Sequence, residues 1–471
     1  MPPFLASIIF AIGIGFLFYL DRGEEIRVSK ALWVPTAWLF FCMSRAPSEW
    51  LGVGGSPVGQ ASVYLEGSPF DRAVFMFLVV LALIVVISRW RQVSPILRSN
   101  WAIALFFLYA AVSISWSDFP DVAFKHWIKA IGDVMVVLIV LTEQNVAGAV
   151  ERLFTRLGFV LLPLSILFIK YYPELGRRLT NSWTMEAVGV GEQKNGLGEL
   201  CSICGLALLW RFRCVYHDRE DPKRRGRLLA LGTVLAMVVW LLWICNSLTS
   251  ICALSMASVA MMLSTWRAFR QARAFVHLLI LAMLVLALYA LFFQSSSALV
   301  ESLGRDPTLS GRTSGWDIML SIPNNRLVGA GYDSFWLGPR LEKLWEAFPN
   351  LPIGQAHNGY LEIFLNLGWI GVTLLALLIA TGYRNVIGTY RRDPDTGSLW
   401  IAYFLLVLLN GLTEGVFRMM TPTWIVFLLA TTATPVDAAS EGEEVDSLVS
   451  YRFQHGPEAG AAIHDEALEG Y

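Results

Sequence analysis

An all-α polytopic membrane protein, with about twelve to thirteen spanning helices and one large outer loop, is the architecture this sequence predicts. Three observations predict it. Apolar runs of span length recur along most of the 471 residues. Charge is scarce: 15% of residues are charged and 55% hydrophobic, with a mean hydropathy of +0.55, where an ordinary soluble chain carries about 25% charge. Lysine and arginine, finally, collect in alternate loops, as they do in membrane proteins.

The runs lie near 3–20, 30–44, 72–88, 100–116, 126–142, 153–172, 195–212, 227–246, 247–265, 274–293, 359–381, 399–414 and 420–435. A membrane helix needs about 20 mostly apolar residues, and somewhat fewer when its ends lie in the interface. The second run and the last two are short, which leaves twelve as an alternative to thirteen. The first run has neither a basic leader nor a small-residue cleavage site behind it, so it reads as a span rather than a cleaved signal. A net charge of −1, from 36 basic and 37 acidic residues, excludes nucleic-acid binding driven by bulk charge. The apolar content excludes a disordered chain.

Orientation follows from the basic residues. The 211–227 loop holds seven of them and is assigned to the inside. Alternation then puts 21–30, 88–100, 143–156, 266–273, 383–398 and the C-terminal tail inside, with 22 of the 36 basic residues. Two outer segments exceed ordinary connection lengths, 44–71 and the larger 294–358, and loops of that length are mostly functional. Residues 1–435 are thus expected to form one membrane domain. The tail at 436–471, with nine acids and one arginine, is expected to be a disordered inner extension.

Cys201 and Cys204 form a CxxC inside an apolar run, without a second pair or a histidine at ligand spacing. Small-residue helix packing explains them better than zinc or redox chemistry. Cys245 and Cys252 read the same way, and no disulfide is implied. Gly329, Gly331 and Gly354 suit turns, and Asp393-Pro394-Asp395 is a turn in a short inner loop. In the fifth run Lys129 and Asp133 stand four residues apart and could neutralise each other on one helix face.

Polar groups at a membrane face are costly and invite a functional reading. They collect outside: SRAPSEW at 44–50, SWSDFP at 115–120, Arg177-Arg178, GEQKNGLGE at 191–199, GRTSGWDIM at 311–319, VGAGYDSF at 328–335, AHNGYLEIFLNLGWIG at 356–371 and TEG at 413–415. One composite outward-facing site is expected. His357 stands at the mouth of a run, where the positive end of a helix favours a neutral imidazole, a competent general base. A plain interfacial histidine bonded to a loop carbonyl is the alternative. His126 lies near an outer face and His277 within a run. Arginine suits bidentate phosphate binding, which points to Arg312, flanked by Gly311 and Gly315, and to Arg45, Arg177, Arg178, Arg305, Arg326 and Arg340. Lys194 joins them at a run entrance. Snorkelling to lipid headgroups is the competing reading for these cations. Trp316 and Trp336 could stack on sugar rings.

The order SWSDxP, KNxLG, Ser247-Leu248-Thr249, GRxxxW, GxGxxxF and HNxYLExxxxLGxxG resembles the O-antigen ligase and polymerase superfamily, in particular its exopolysaccharide-production (ExoQ-like) branch. The stretch ALWVPTAWLFFCMSRAPSEW is similar to the second span of that branch. The resemblance covers roughly residues 30–435, and its GR…HN…LG…G portion is the specific part. It implies a GT-C-like, inverting glycosyltransferase of the bacterial inner membrane, with its large loop and site on the periplasmic face and its C-terminus in the cytoplasm. The donor would be a glycan on a polyprenyl (undecaprenyl) diphosphate, drawn from among membrane lipids, with chain-length regulator and export proteins as further partners. By the same resemblance His357 would deprotonate the acceptor hydroxyl and Arg312 would bind the pyrophosphate, while Asn195, Lys194, Asn358 and Glu362 occupy motif positions. The departure is Leu248, where many members carry a basic residue; Lys194 or Arg178 would have to substitute for it. Lipid diphosphate is already a good leaving group that fixed cations can neutralise, and no outer carboxylate cluster at ligand spacing is seen. No cofactor and no metal are therefore expected. Repeat-unit polymerisation is the leading reading; transfer of finished glycan to a lipid or protein acceptor, and a transporter or flippase, are the alternatives.

Overall fold

The computed structural model describes residues 1–22, 28–53, 68–179, 184–266, 274–293, 312–347 and 354–434. The acidic tail and Arg305 lie outside the described residues. The chain is an all-α polytopic membrane protein. Each of the thirteen predicted runs holds a helix: α1 (Pro3–Leu20), α2 (Trp33–Cys42), α4 (Pro69–Ser88), α6 (Trp101–Ser113), α7 (Pro120–Leu141), α8 (Val146–Tyr171), α10 (Lys194–His217), α11 (Arg224–Cys245), α12 (Leu248–Ser264), α13 (Ala274–Phe293), α16 (Gly359–Arg392), α17 (Pro394–Gly411) and α18 (Pro422–Thr431). Between them lie short helices α3 (Pro47–Leu51), α5 (Trp90–Ser99), α9 (Pro173–Gly176), α14 (Arg312–Ser321) and α15 (Pro339–Ala347). Strands β1 (Arg177–Leu179) and β2 (Met185–Ala187) pair antiparallel, with Arg178 opposite Glu186.

Length divides the predicted spans. Among the described residues α1, α4, α8, α11 and α16 are long and apolar enough to cross a bilayer. A sixth crossing is possible if α5 and 101–116, bent by 88°, count as one span. That measure accounts for five to six of the expected twelve to thirteen spans among the described residues, and two features keep other helices below it. The first is charge: α7 carries Asp121, Lys125, Lys129 and Asp133 along its length. The second is length: α2 and α18 have ten residues each, about 15 Å of helix and half a hydrocarbon core. All ten residues of α18 are buried, as is α17 from Gly397 to Gly411. These two helices pack against each other at the centre of the bundle, so protein rather than lipid covers their ends.

The lipid-facing side is visible as exposed apolar surface. Phe4 and Ile12 on α1, Phe77 and Ile87 on α4, and Val239 and Trp243 on α11 are all exposed, which in water would be a large unpartnered patch. Segment 90–99, read from sequence as part of an inner loop, is instead an amphipathic helix. Val93 and Ile96 are buried and Trp90 faces out. Asp393-Pro394-Asp395 is a helix cap, since Asp393 Oδ1 accepts from the Asp395 and Thr396 amides at 3.1 Å. Cys201, Cys204 and Cys245 are buried and unbridged, and Cys252 is exposed and unbridged.

The pairing of Lys129 with Asp133 does not occur. Asp133 is fully buried and accepts from Trp38 Nε1 at 2.9 Å and from the Met420 amide at 2.8 Å. A carboxylate inside a bundle needs donors. Here they come from α2 and from the turn before α18, so Asp133 ties three elements together.

α16 is interrupted. Gly368 adopts φ 62° and ψ −163°, breaking it into a half-helix at 359–367 and a long continuation. Segment 324–331 fits into the break. The Ala330 and Gly331 amides donate to the Leu365 and Asn366 carbonyls at 3.1 and 2.9 Å, and the Trp369 and Ile370 amides donate to Arg326 and Leu327 at 2.9 and 3.1 Å. The contact is so close that a Cβ on Gly368 would stand 2.3 Å from the Leu327 carbonyl oxygen, and one on Gly329 would stand 2.3 Å from that of Asn366. Gly329 and Gly331, at φ 73° and 97°, do serve turns, but the turns are made to meet a broken helix.

Candidate functional site

The outer polar patches converge around the start of the half-helix. Asn358 is its N-cap. The Asn358 Oδ1 atom accepts from the Tyr360 and Leu361 amides at 3.1 and 3.0 Å, and Nδ2 donates to the Leu412 carbonyl at 3.3 Å. One turn on, buried Glu362 accepts from the Ala356 amide at 2.6 Å and from Trp336 Nε1 at 2.7 Å. Trp316 Nε1 donates to the Ala356 carbonyl at 2.8 Å. Asn358, Glu362, Trp316 and Trp336 therefore pin the backbone of 356–358. Both indoles expected to stack on sugar have their N–H groups turned into this scaffold.

What the scaffold holds is His357. Its backbone lies in the left-handed region at φ 49°, a conformation costing about 1–3 kcal/mol for a side chain of this kind. Its Nδ1 faces Glu414 Oε2 at 3.2 Å and Gln355 Nε2 at 3.3 Å, and the ring is 34% exposed. The partner is thus a carboxylate and not the loop carbonyl of the plain reading. Glu414 also accepts from Asn195 Nδ2 at 2.8 Å, and Asn195 Oδ1 accepts from Ser247 Oγ at 3.1 Å. Thr413 donates to Thr249 at 3.2 Å. The KN motif at the start of α10, the Ser-x-Thr segment at the start of α12 and the TEG turn before α18 thus meet His357 in one hydrogen-bonded chain.

Beside this chain opens a cavity of about 340 Å³, near the small end of the roughly 300–1,000 Å³ that ligand pockets span. Its walls include Ser44, Glu192, Gln193, Asn195, Glu199, Gln355, Asn410 and Glu414. Glu199 also accepts from the Thr423 amide at 2.9 Å. Among the described residues no three His, Cys, Asp or Glu side chains are grouped so as to hold a metal ion.

The predicted cations are distributed unevenly. Lys194 pairs with Glu186 of β2 at 2.5 Å. Arg178 is exposed on β1 and donates to the Glu192 carbonyl at 3.3 Å. Lys194 is flanked in sequence by the wall residues Gln193 and Asn195, and Arg178 reaches the cavity only through its bond to the wall residue Glu192. Arg45 is committed to carbonyls, those of Leu175, Gly189 and Gly191. Burial draws its pKa down, opposed by the Glu49 and Glu192 carboxylates. Arg177 donates to the Ile169 carbonyl at 3.0 Å, and Arg340 pairs with Asp118 of the SWSD motif at 2.5 Å. Arg312 is the first residue of α14, where a turn between glycines was expected, and its side chain lies outside the described residues.

Sequence reasoning missed one cation and the way it joins two residues noted only singly. Arg418 donates to the Gly354 carbonyl at 3.3 Å and lies 3.4 Å from Asp333. Asp333 also meets His126 Nδ1 at 2.8 Å. Burial pushes the Asp333 carboxyl up, but the Arg418 charge and the His126 hydrogen bond outweigh it and hold the pKa at about 2. Asp333 is itself left-handed, at φ 46°. This ion cluster fixes the turn beneath Gln355 and His357. The sequence signal was present in GYDSF and in the residues after TEG, but nothing there links positions 126, 333 and 418.

Residues 223–376 match the family model described as O-Antigen ligase. The match takes in α14, the half-helix and His357. The chain is also 27% identical over 350 residues to the exopolysaccharide production protein ExoQ of Rhizobium meliloti (strain 1021), a similarity covering 71% of this chain and 77% of that protein. By these findings residues 223–376 are similar to the O-antigen ligase family, and the chain is similar over most of its length to an exopolysaccharide production protein.

Proposed function

We propose that this protein is a membrane glycosyltransferase that moves a glycan from a polyprenyl-diphosphate carrier onto an acceptor sugar, extending an exopolysaccharide. One observation carries the reading: His357, in the matched segment, has its Nδ1 engaged by Glu414. A carboxylate accepting from Nδ1–H leaves the lone pair on Nε2, the arrangement of an oriented general base. The acceptor hydroxyl gives its proton to Nε2 as its oxygen bonds to the anomeric carbon. The carbon–oxygen bond to the diphosphate breaks, and its electron pair leaves with the carrier. A single displacement of this kind inverts the anomeric centre. The developing charge is met by cations, for which Arg312, Lys194 and Arg178 are the candidates, and no metal takes part in the steps as drawn. The site faces the periplasm and the tail the cytoplasm in this reading. In this reading the large outer loop caps the site and favours transfer over hydrolysis.

The test is complementation of a polysaccharide-deficient deletion strain with His357→Ala and Arg312→Ala, at matched membrane levels. Loss of polymer with accumulation of carrier-linked single repeat units is the expected result. Accumulation of long carrier-linked chains would instead identify a ligase, and full polymer from both variants would overturn the catalytic assignment.

A further inference from the structure

The end of the bundle remote from His357 carries a second arrangement of arginines, which the proposed reaction does not use. Several cations there have an acceptor. Arg89 pairs with Glu143 at 2.9 Å, Arg211 with Asp21 at 2.8 Å and Glu151 at 2.5 Å, Arg213 with Asp395 at 3.1 Å, and Arg227 with Asp221 at 2.9 Å. Arg224 donates to the Val215 and Tyr216 carbonyls. Arg152 and Arg156 differ. They stand one turn apart on α8, like charges on one helix face. Arg152 Nε and Arg156 Nη1 are shielded from solvent and meet no hydrogen-bond acceptor among the described residues. The nearest carboxylate in sequence, Glu151, is already taken by Arg211.

Shielded guanidinium nitrogens without an acceptor are costly, and two like charges side by side more so. An anion with several oxygens relieves both costs at once, and a phosphate offers the geometry that guanidinium forks match. The setting says which phosphate. Arg156 lies over the ring of Trp33 at 4.2 Å, and that indole is 59% exposed at the first residue of α2. An exposed tryptophan at the end of an apolar helix marks headgroup depth, and α8 is itself of spanning length and hydropathy. Basic pockets between membrane helices take anionic headgroups.

We propose that Arg152, Arg156 and Trp33 form a binding site for the phosphate of an anionic phospholipid, at the opposite end of the bundle from the glycan site. The lipid phosphate bridges the two guanidinium groups, and its acyl chains run along the exposed apolar side of α1. The site is independent of the glycosyltransfer reading.

The experiment uses the full chain, purified and reconstituted in nanodiscs of phosphatidylcholine with and without phosphatidylglycerol. Native mass spectrometry counts retained lipid, and thermal unfolding reads its effect. The wild type is expected to retain phosphatidylglycerol and gain thermal stability from it, with no gain from phosphatidylcholine. Arg152→Gln/Arg156→Gln is expected to weaken retention about tenfold or more, the effect of two lost charges at a membrane surface. Arg156→Lys, which keeps the charge and loses the fork, gives an intermediate result and stands in if the double variant fails to fold. Equal retention by wild type and variants overturns the site. An equal stability gain from inorganic phosphate overturns the assignment to lipid.

Discussion

Replacing Glu414 by glutamine tests the site at its least redundant point. The glutamine keeps the length and shape of the side chain, so the cavity wall is unchanged. It removes the negative charge and one of two acceptors. Glu414 accepts from Asn195 at 2.8 Å and, in the tautomer the proposed reaction requires, from His357 Nδ1 at 3.2 Å. An amide oriented to satisfy Asn195 turns its NH₂ toward Nδ1, which selects the tautomer carrying the proton on Nε2, where the acceptor proton must go. A hydrogen bond to an ionised partner contributes about 1.5–3 kcal/mol, and general-base catalysis about 10²–10⁴-fold. The 3.2 Å contact is long, which favours the low end, about a hundredfold loss of turnover. The assay is polymerisation by purified protein with carrier-linked repeat units, at matched protein levels. Turnover should fall while KM stays near wild type, because the carboxylate acts through the base and not on the donor. Glu414→Asp should recover part of the rate. A Glu414→Gln enzyme within about threefold of the wild-type rate would refute the assignment of His357 as an oriented base.

Gly368→Ala should be among the most damaging single changes in the chain, since it combines a left-handed backbone with a Cβ 2.3 Å from the Leu327 carbonyl oxygen; membrane levels and thermal stability should fall by more than the roughly 1–3 kcal/mol of backbone strain alone. Asp333 has its carboxyl held at about 2 against an ordinary 3.8, so the folded state favours its charged form and gains about 2 kcal/mol above pH 4. That gain is lost as pH falls from about 4 through 2, and Asp333→Asn should flatten this acid limb of a thermal-stability profile while lowering stability at neutral pH. Asp133→Asn leaves one oxygen for two buried donors, the Trp38 indole and the Met420 amide. The orphaned donor should cost about 1–3 kcal/mol in detergent unfolding.

Much of this architecture is legible in the sequence because burial and period are local properties. Thirteen apolar runs predict thirteen helices, and the capping and turn residues sit where the chemistry of Asn, Asp and Gly puts them. Crossing length is less legible. The apolar run at 420–435 looks like a lipid-facing span, yet α18 is ten residues sealed inside protein, and hydropathy cannot tell those surroundings apart. Partners across the bundle were invisible for a related reason. Lys129 and Asp133 satisfy the helical spacing for a pair, but a fully buried carboxylate goes to the donors that are best placed, and those came from positions 38 and 420. At the site His357, Asn358, Glu362, Lys194 and Asn195 could be singled out as motif positions. Their division of labour could not: Asn358, Glu362 and Trp316 face the scaffold, Glu414 was visible only as part of the TEG patch, and Arg418 came to light only in three dimensions.

The broken helix explains why the motif around His357 is long. A continuous α16 would point its first turn along the span and leave no backbone free to meet the loop. Breaking it at Gly368 exposes the carbonyls of 365–367 and the amides of 369–370, close to the membrane face where water is a poor substitute partner and each orphan group costs several kcal/mol. Segment 324–331 satisfies them through four backbone bonds and through Asn324, which donates to the Leu365 carbonyl at 2.6 Å. Tyr109 adds a bond to the Leu367 carbonyl at 3.1 Å. The same half-helix carries Asn366, whose Oδ1 accepts from the Phe335 amide at 3.0 Å, and Glu362, which holds Trp336. Docking the GxGxxxF segment and placing His357 are therefore one folding event, because neither the half-helix nor the segment has its backbone satisfied without the other. Gly329, Gly331, Phe335 and Gly368 touch no reacting group, yet the position of the imidazole depends on all four.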